Sequence, residues 1–408
     1  MVAQATWGAA VTRDGGETWR WMCAAALGVD PRFEDPTLAI GVEGRLLAGT
    51  LGGLFFSDPE ACEWEPVAGP VGGRWIIDLI EDPNDPTSRL AVATDVGLGD
   101  QLFESRDEGQ TWAPRGDAFG ELLLAAGLIA PSDSSRLYLS ADIPGLPADR
   151  QTMVLRSDDG GETRTRLPFV DLTGAERMLR IRAVDPLDPD VLYGVVVNFE
   201  AVMDPHRLVR SDDGGETFST VLEVSQIGDV VISDDAQTVW TASREGGVFR
   251  SDDRGLTFTR IHPDLPVSCL VRDGGALLAC TDDAVVGFAL ARSADEGVSW
   301  EPLLRLQDID EMIPCPTCSD VGVVCPGWLP DVSFDLGFDA GLTLVVEPDG
   351  GVGLPRDAGL PFECGGPPPP PEPGCGCRIG AGPGAPAWVW LVAAIFCGGI
   401  RRRRRQPH

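Results

Sequence analysis

Apart from its many carboxylates, this chain carries few side chains able to do chemistry. Three histidines occur, His206, His262 and His408. None stands with a nucleophile in a readable triad, although triads also assemble from distant positions. The two tyrosines fall inside apolar, strand-like runs, Leu137-Tyr138-Leu139 and Leu192-Tyr193-Gly194, where packing accounts for them. Every basic residue other than His is Arg, and with no Lys a Schiff-base nucleophile is excluded. The 63 acids against 32 basic residues give a formal net charge of −31. That balance disfavours nucleic acid, whose phosphates need a basic face. Asp282-Asp283 is an acidic pair too small to define a cation site, and no calcium loop of the spacing D-x-[DN]-x-[DN]-G is present. The residues therefore name no catalytic, cofactor or metal site.

The elements that would hold any such residue are legible in a repeat. An eight-residue phrase, Ser/Thr-x-Asp-x-Gly-x-Thr-aromatic, starts at Thr12, Ser57, Ser105, Ser157, Ser211, Ser251 and Ser293, at intervals of 40 to 54 residues. A period of that size marks one supersecondary unit used repeatedly. A short apolar strand precedes the phrase, as in Val154-Leu155, Leu208-Val209 and Val248-Phe249. The Asp can accept backbone N–H bonds, the Gly can take positive φ, and Thr with an aromatic starts the next strand. The phrase reads as a β-hairpin with a self-satisfied turn, built around Asp14, Asp107, Asp159, Asp213, Asp253 and Asp295. The copy at Ser57 departs most, with Pro59 and Ala61 where Asp and Gly belong and Trp64 retained. Arg164 replaces the aromatic in the fourth copy. A second motif, Asp82-Pro-Asn-Asp-Pro86 and Asp185-Pro-Leu-Asp-Pro189, joins an apolar run to another strand each time. Four strands per unit is the size of a propeller blade. No long segment shows helical periodicity before the tail; residues 22–27 make at most a short helix.

The phrase resembles the Asp-box, or BNR, repeat of β-propellers found in sialidases, sortilin-type receptors, xyloglucan-cleaving glycosidases and photosystem-assembly factors. The resemblance implies an all-β, seven-bladed propeller over residues 1–350, with the box joining the third and fourth strands at the rim, away from the channel. The box speaks to the scaffold, since one fold hosts many functions. A sialidase of this type would need three Arg, a Tyr supported by Glu, and a Phe/Tyr-Arg-Ile-Pro motif that is missing here. A xyloglucan-type glycosidase would need two opposed carboxylates. Trp7, Trp75 and Trp240 are candidates for a sugar groove or for packing between blades. The expected function is a binding or scaffold module for a protein or carbohydrate at the cell surface, with a secreted glycoside hydrolase as the alternative.

Counting blades leaves the first one incomplete. Its box starts at Thr12, with room before it for one strand near Ala5 to Val11. The expectation is either that Val332 to Val346 completes the blade, or, preferred, that a signal peptide and the first strands lie upstream of Met1.

Composition shifts after Phe362. Residues 351–374 form a Pro/Gly-rich linker containing a polyproline run, Pro367 to Pro371. Residues 375–408 hold Cys375-Gly-Cys377, an apolar stretch from about Ala385 to Ile400, and Arg401 to Arg405. The Arg run stays cytoplasmic by the positive-inside rule, and the apolar stretch is short for a full span. This order resembles the MYXO-CTERM sorting signal of myxobacteria. The resemblance implies processing near Cys375 or Cys377 and delivery to the cell surface or outer membrane, with the membrane reached through the tail.

Eight of the eleven cysteines lie outside the sorting motif and apolar stretch, an even number that suits disulfides in an oxidising compartment. Cys269 and Cys280 stand symmetrically about Gly274-Gly275 and are expected to face each other across a hairpin. Cys23 and Cys62 lie near boxes one and two and are candidates to link neighbouring blades. Cys315, Cys318 and Cys325 cluster in a Pro-rich loop, with Cys364 as a candidate fourth and no His nearby, a poor match to structural zinc.

Overall fold

A computed structural model describes residues 1–336 apart from positions 6–7, 31–33, 35, 42–43, 96–98, 144–150, 175, 199–204 and 310, together with 345–346 and 352–353. The chain divides into two units, Met1–Phe362 and Glu363–His408. The second unit, with Cys375, Cys377 and the Arg run, lies outside the described residues.

Seven four-stranded sheets follow one another along the chain. Blade four shows the plan: Leu123–Ala130, Asp133–Ile143, Gln151–Ser157 and Thr165–Phe169, each antiparallel to the last. The first strands of consecutive blades, such as Trp75–Asp82, Leu123–Ala130, Glu176–Val184, Ile227–Ile232 and Val267–Asp273, lie against one another and so line the channel. Residues alternating off the strands interdigitate between sheets. Leu90, Val92 and Leu102 of blade three pack on Leu137, Leu139 and Leu155 of blade four. The ring closes where the Trp19 indole N–H of blade one donates to the Leu303 carbonyl of blade seven at 3.0 Å.

The repeated turn joins the third and fourth strands in blades two to seven, and the second and third in blade one. In blade five, the Ser211 hydroxyl donates to Asp213 Oδ1 at 2.7 Å and accepts from Gly215 N at 2.9 Å. Asp213 accepts from Thr217 N at 2.9 Å and from the Thr217 hydroxyl at 2.6 Å. The same bonds recur in the turns at Thr12, Ser105, Ser157, Ser251 and Ser293. The glycine is required twice over. Gly109 has φ 89°, and a Cβ there would stand 2.5 Å from Leu47 Cδ1 of the preceding blade. Side chains also reach across to the next blade's turn. Tyr193 donates to the Arg254 carbonyl at 2.7 Å, and Arg115 to the Asp159 and Gly160 carbonyls at 2.7 and 3.0 Å. A planar fork with several donors suits such carbonyl contacts better than a single ammonium point charge.

The second copy is rebuilt rather than worn away. Asp58, one residue early, accepts from Cys62 N at 2.7 Å and Glu63 N at 3.2 Å, and Ala61 adopts φ 61° where the others use Gly. Its chain is turned toward the helix that follows blade seven. Trp64 N donates to Asp320 Oδ2 at 2.8 Å, and Cys62 is bonded to Cys315.

Three expectations are corrected. Blade one carries two strands before its turn, Val2–Ala5 and Gly8–Val11, not one, because a two-residue connection suffices between them. Val332 to Val346 does not complete that blade: Val332 belongs to a helix, and Val345–Val346 pairs with Val352–Gly353. The added strand is Glu311–Met312, parallel to Arg20–Met22 on the sheet's far edge. That helix, Asp320–Leu336, overturns the expectation of no long helix. Gly322, Pro326, Gly327 and Pro330 inside it argue against helix by propensity. Tertiary bonds hold it instead. Val321, Cys325, Leu329 and Val332 join Trp21, Met22, Leu27 and Trp64 in one core.

The cysteines are likewise repartnered. Cys269–Cys280 forms across its hairpin as expected, with the two residues directly opposite in register. Cys23 and Cys62 do not link their blades to each other; they bond Cys325 and Cys315, 302 and 253 residues away. The loop cluster therefore serves disulfides, and Cys318 is bonded as well.

Candidate functional site

The six turn aspartates are not brought together. Each sits at its own rim hairpin, spent on its own loop. Hydrogen bonds hold Asp159, Asp253 and Asp295 at about 2, foremost those from the Thr163, Ser251 and Ser299 hydroxyls respectively. Tyr138 and Tyr193 are fully buried between blades, their hydroxyls donating to the Pro189 and Arg254 carbonyls at 2.7 Å. Trp240 is 3% exposed and donates to the Glu296 carbonyl at 2.9 Å, so it packs blades and lines no groove. Trp7 lies outside the described residues. Trp75 is open, 40% exposed at the first residue of its strand. Leu123, 51% exposed, opens the neighbouring first strand at the same end. Together they give the channel an apolar lip.

Behind that lip lies a charged cluster that sequence reasoning missed. Asp78, Arg180, Arg182 and Asp229 all stand on channel-lining first strands, of blades three, five and six. Arg180 and Arg182 of blade five act electrostatically on Asp78 of blade three. These blades are not neighbours, so the field crosses the channel. The sequence signal was a lone charge in an apolar run, Ile77-Asp78-Leu79 and Leu179-Arg180-Ile181-Arg182.

Most of these groups are committed. First strands bulge near their starts, between Ile76 and Asp78 and between Leu124 and Ala126 for example, which frees amides from the ladder. Side chains of the preceding blade satisfy them. Asp78 Oδ2 accepts from Gly127 N at 2.9 Å, Asp100 Oδ2 from Leu124 N at 2.6 Å, Ser140 Oγ from Ile181 N at 2.8 Å, Thr152 Oγ1 from Leu179 N at 3.0 Å, and Asp229 Oδ2 from Leu270 N at 3.3 Å. Burial pushes Asp78 up to about 6, against the pull of the Gly127 and Leu79 amides and of Arg182 and Arg180. Arg182 pairs with Asp229 at 3.4 Å. Burial pushes His206 down, toward neutral imidazole at physiological pH.

Arg180 differs. Its Nε lies 3.4 Å from Met178 Sδ. Among the described residues its terminal nitrogens make no hydrogen bond or ion pair, and they are not sealed from solvent. Burial and then the like charge of Arg182 lower its pKa, while Asp142 and Asp78 oppose them. No group of three or more His, Cys, Asp or Glu able to hold a metal occurs among the described residues.

No protein-family model and no curated protein sequence matches this chain. Solved structures similar to it include a GH74 enzyme of Niastella koreensis, at 18% identity and TM-score 0.46 over 66% of this chain and 45% of that one. A Hadza microbial sialidase, Hz136, aligns at 16% identity and TM-score 0.39 over 61% and 63%. YCF48 from Cyanidioschyzon merolae aligns at 12% and 0.41 over 67% and 86%. The chain thus spans under half the first enzyme's length and 63% of the sialidase's. These likenesses are weak, and the propeller stands on the chain's own seven sheets.

Proposed function

We propose that this chain is an Asp-box propeller exported to the cell surface, where it acts as a non-catalytic binding module held through its C-terminal tail. One observation carries the reading. The channel carboxylates Asp78 and Asp229, and Asp100 on the third strand of blade three, accept hydrogen bonds from backbone amides of the next blade, so they staple the ring together. Among the described residues, the terminal nitrogens of Arg180, a cation, make no hydrogen bond or ion pair. A ligand would rest on the Trp75–Leu123 lip and reach inward. Disulfides that span 302 and 253 residues support folding in an oxidising compartment. Among the described residues no helix is long and apolar enough to cross a membrane. Anchorage therefore rests on the sequence of residues 375–408.

A glycoside hydrolase is the second reading. The observation favouring it is the contrast between Asp78, raised to about 6, and the salt-bridged Asp229 in one channel. The test is turnover. The full chain, purified in detergent, is incubated with aryl glycosides, a sialoside and xyloglucan. The binding reading expects no hydrolysis above blank. Turnover that disappears in both Asp78→Asn and Asp229→Asn would replace it with the hydrolase.

A further inference from the structure

At the seam between blades one and two lies a cavity of about 380 Å³, room enough for a small ligand or one long side chain. None of its lining residues stands on a channel-lining first strand. Leu27 of the short helix Ala24–Leu27, Val29 beyond it, and Phe55 and Trp64 of blade two give it an apolar and aromatic wall. Glu34 and Asp320 add two carboxylates, and no lining residue is basic. Thr50 also borders the cavity, but its hydroxyl is spent within its own turn, donating to the Gly53 carbonyl and accepting from Gly52 N, each at 3.0 Å. Asp320 is only half used. Its Oδ2 accepts from Trp64 N at 2.8 Å. Among the described residues its Oδ1 makes no hydrogen bond or ion pair, and it is not sealed from solvent. In the same wall, the Trp64 indole N–H is buried with no partner among the described residues. Asp320 is also held in place. It opens the helix Asp320–Leu336 between Cys315 and Cys325, both bonded into the first two blades, and Val321 N next to it donates to the Cys62 carbonyl at 3.2 Å. A carboxylate fixed in this way costs little ordering when it binds.

We infer that this cavity binds a primary ammonium on an unbranched apolar stem, as on a lysine side chain or a free aliphatic amine. The stem lies along Leu27, Val29 and Phe55, and the ammonium donates to Asp320 Oδ1. Two carboxylates fall short of a metal set, and no group of three or more such ligands occurs among the described residues. With Oδ2 committed to Trp64 N, one oxygen is open. The carboxylate therefore cannot take the two parallel bonds of a guanidinium, and a compact ammonium suits it better. A quaternary ammonium has no N–H to give. The chain has no Lys, so no copy of it carries a side-chain ammonium to fill the cavity. The site is independent of whatever the channel binds.

Isothermal titration of the full chain in detergent tests it, at about 0.15 M salt so that distant exposed charges are screened. The probes are n-butylamine and the Nα-acetyl methylamides of lysine, arginine and norleucine. The lysine probe and butylamine are expected to bind, the arginine probe more weakly, and the norleucine probe, which keeps the stem without the charge, not measurably. Asp320→Asn keeps an acceptor for Trp64 N and removes the charge. It should weaken both amines about 10- to 100-fold, the range for hydrogen bonds to a charged partner. Glu245→Gln removes an exposed charge in blade six and should change nothing. Thermal melts establish that each variant is folded. Tighter binding of the lysine probe assigns the site to a protein side chain, and tighter binding of butylamine to a free amine. Absence of binding by both amines, or undiminished binding in folded Asp320→Asn, overturns the inference. So does binding of the norleucine or arginine probe as tight as that of the lysine probe, a comparison that needs no variant.

Discussion

The two long-range disulfides form nested loops, and nesting makes their contributions unequal and coupled. Consider replacing Cys62 and Cys315 with Ser while Cys23–Cys325 stays intact. The unfolded chain is still closed by the outer bond. What is released is a loop made of the segments Cys23–Cys62 and Cys315–Cys325, roughly 50 residues long, for which the chain-entropy relation gives about 4 kcal/mol. Removing the outer pair alone releases the same loop, so it too costs about 4 kcal/mol. Removing the second bond after the first opens a loop of 253 or 302 residues and costs about 5.5 kcal/mol. The double removal is therefore expected to exceed the sum of the singles by about 1.5 kcal/mol. The assay is non-reducing guanidinium unfolding of the four species, with bond status verified by mass spectrometry and coincidence of tryptophan and far-UV signals checked. The Cys269–Cys280 pair supplies a control. It closes 11 residues of a hairpin that is already paired, so its removal should cost less than either and add independently. Additivity of the two long-range pairs within about 0.5 kcal/mol would refute the nested-loop reasoning.

Other outcomes follow from single groups. Burial pushes Asp78 up to about 6, above its unfolded value, so its own contribution to stability is fully present below about pH 4 and is lost as pH rises through 6. Asp78→Asn should thus gain about 3 kcal/mol on wild type at pH 8 and nothing at pH 4; urea midpoints across pH decide it. The Trp112 indole donates to the Gly109 carbonyl at 2.8 Å, whereas Trp64 Nε1 is buried with no partner among the described residues. Trp64→Phe should be neutral or stabilising while Trp112→Phe costs about 1 kcal/mol, read as thermal midpoints. For the tail, replacing both Cys375 and Cys377 with Ala should keep the full-length protein in the inner membrane. Intact Trp388 to Arg405 on surface-located wild type would remove the sorting proposal.

The fold was legible because its signal is local and repeated. Ser211 to Phe218 needs only itself to make its turn, and seven copies at a regular period leave little choice of architecture. The Cys269–Cys280 bond was legible for the same reason. What the sequence hid depends on distance. Nothing near Cys23 indicates Cys325, and the Gly and Pro residues of Asp320–Leu336 deny the helix that those bonds impose. The role of Asp58 was hidden by a one-residue shift, since the repeat looks for its carboxylate where Pro59 stands. The channel charges were hidden because Asp78 and Arg180 look like ordinary interruptions of apolar strands. Only the ring places them across one opening, and only a full accounting of bonds separates the engaged Asp78 from the unengaged Arg180.

The route by which tension would travel through this molecule follows from the helix at its outer edge. A pull on the chain beyond Leu336 reaches Cys325 and Cys315 and passes through covalent sulfur into the first and second blades. The connection between Leu304 and Cys315 is bypassed and stays slack. The last strand of blade seven, Glu301–Leu304, is thus shielded from peeling, although its blade is the last of the seven in the chain. Rupture under load would have to break disulfides or shear whole sheets instead of unzipping one edge strand. A propeller gripped in this manner bears load through its disulfides while the edge strand of its last blade is spared.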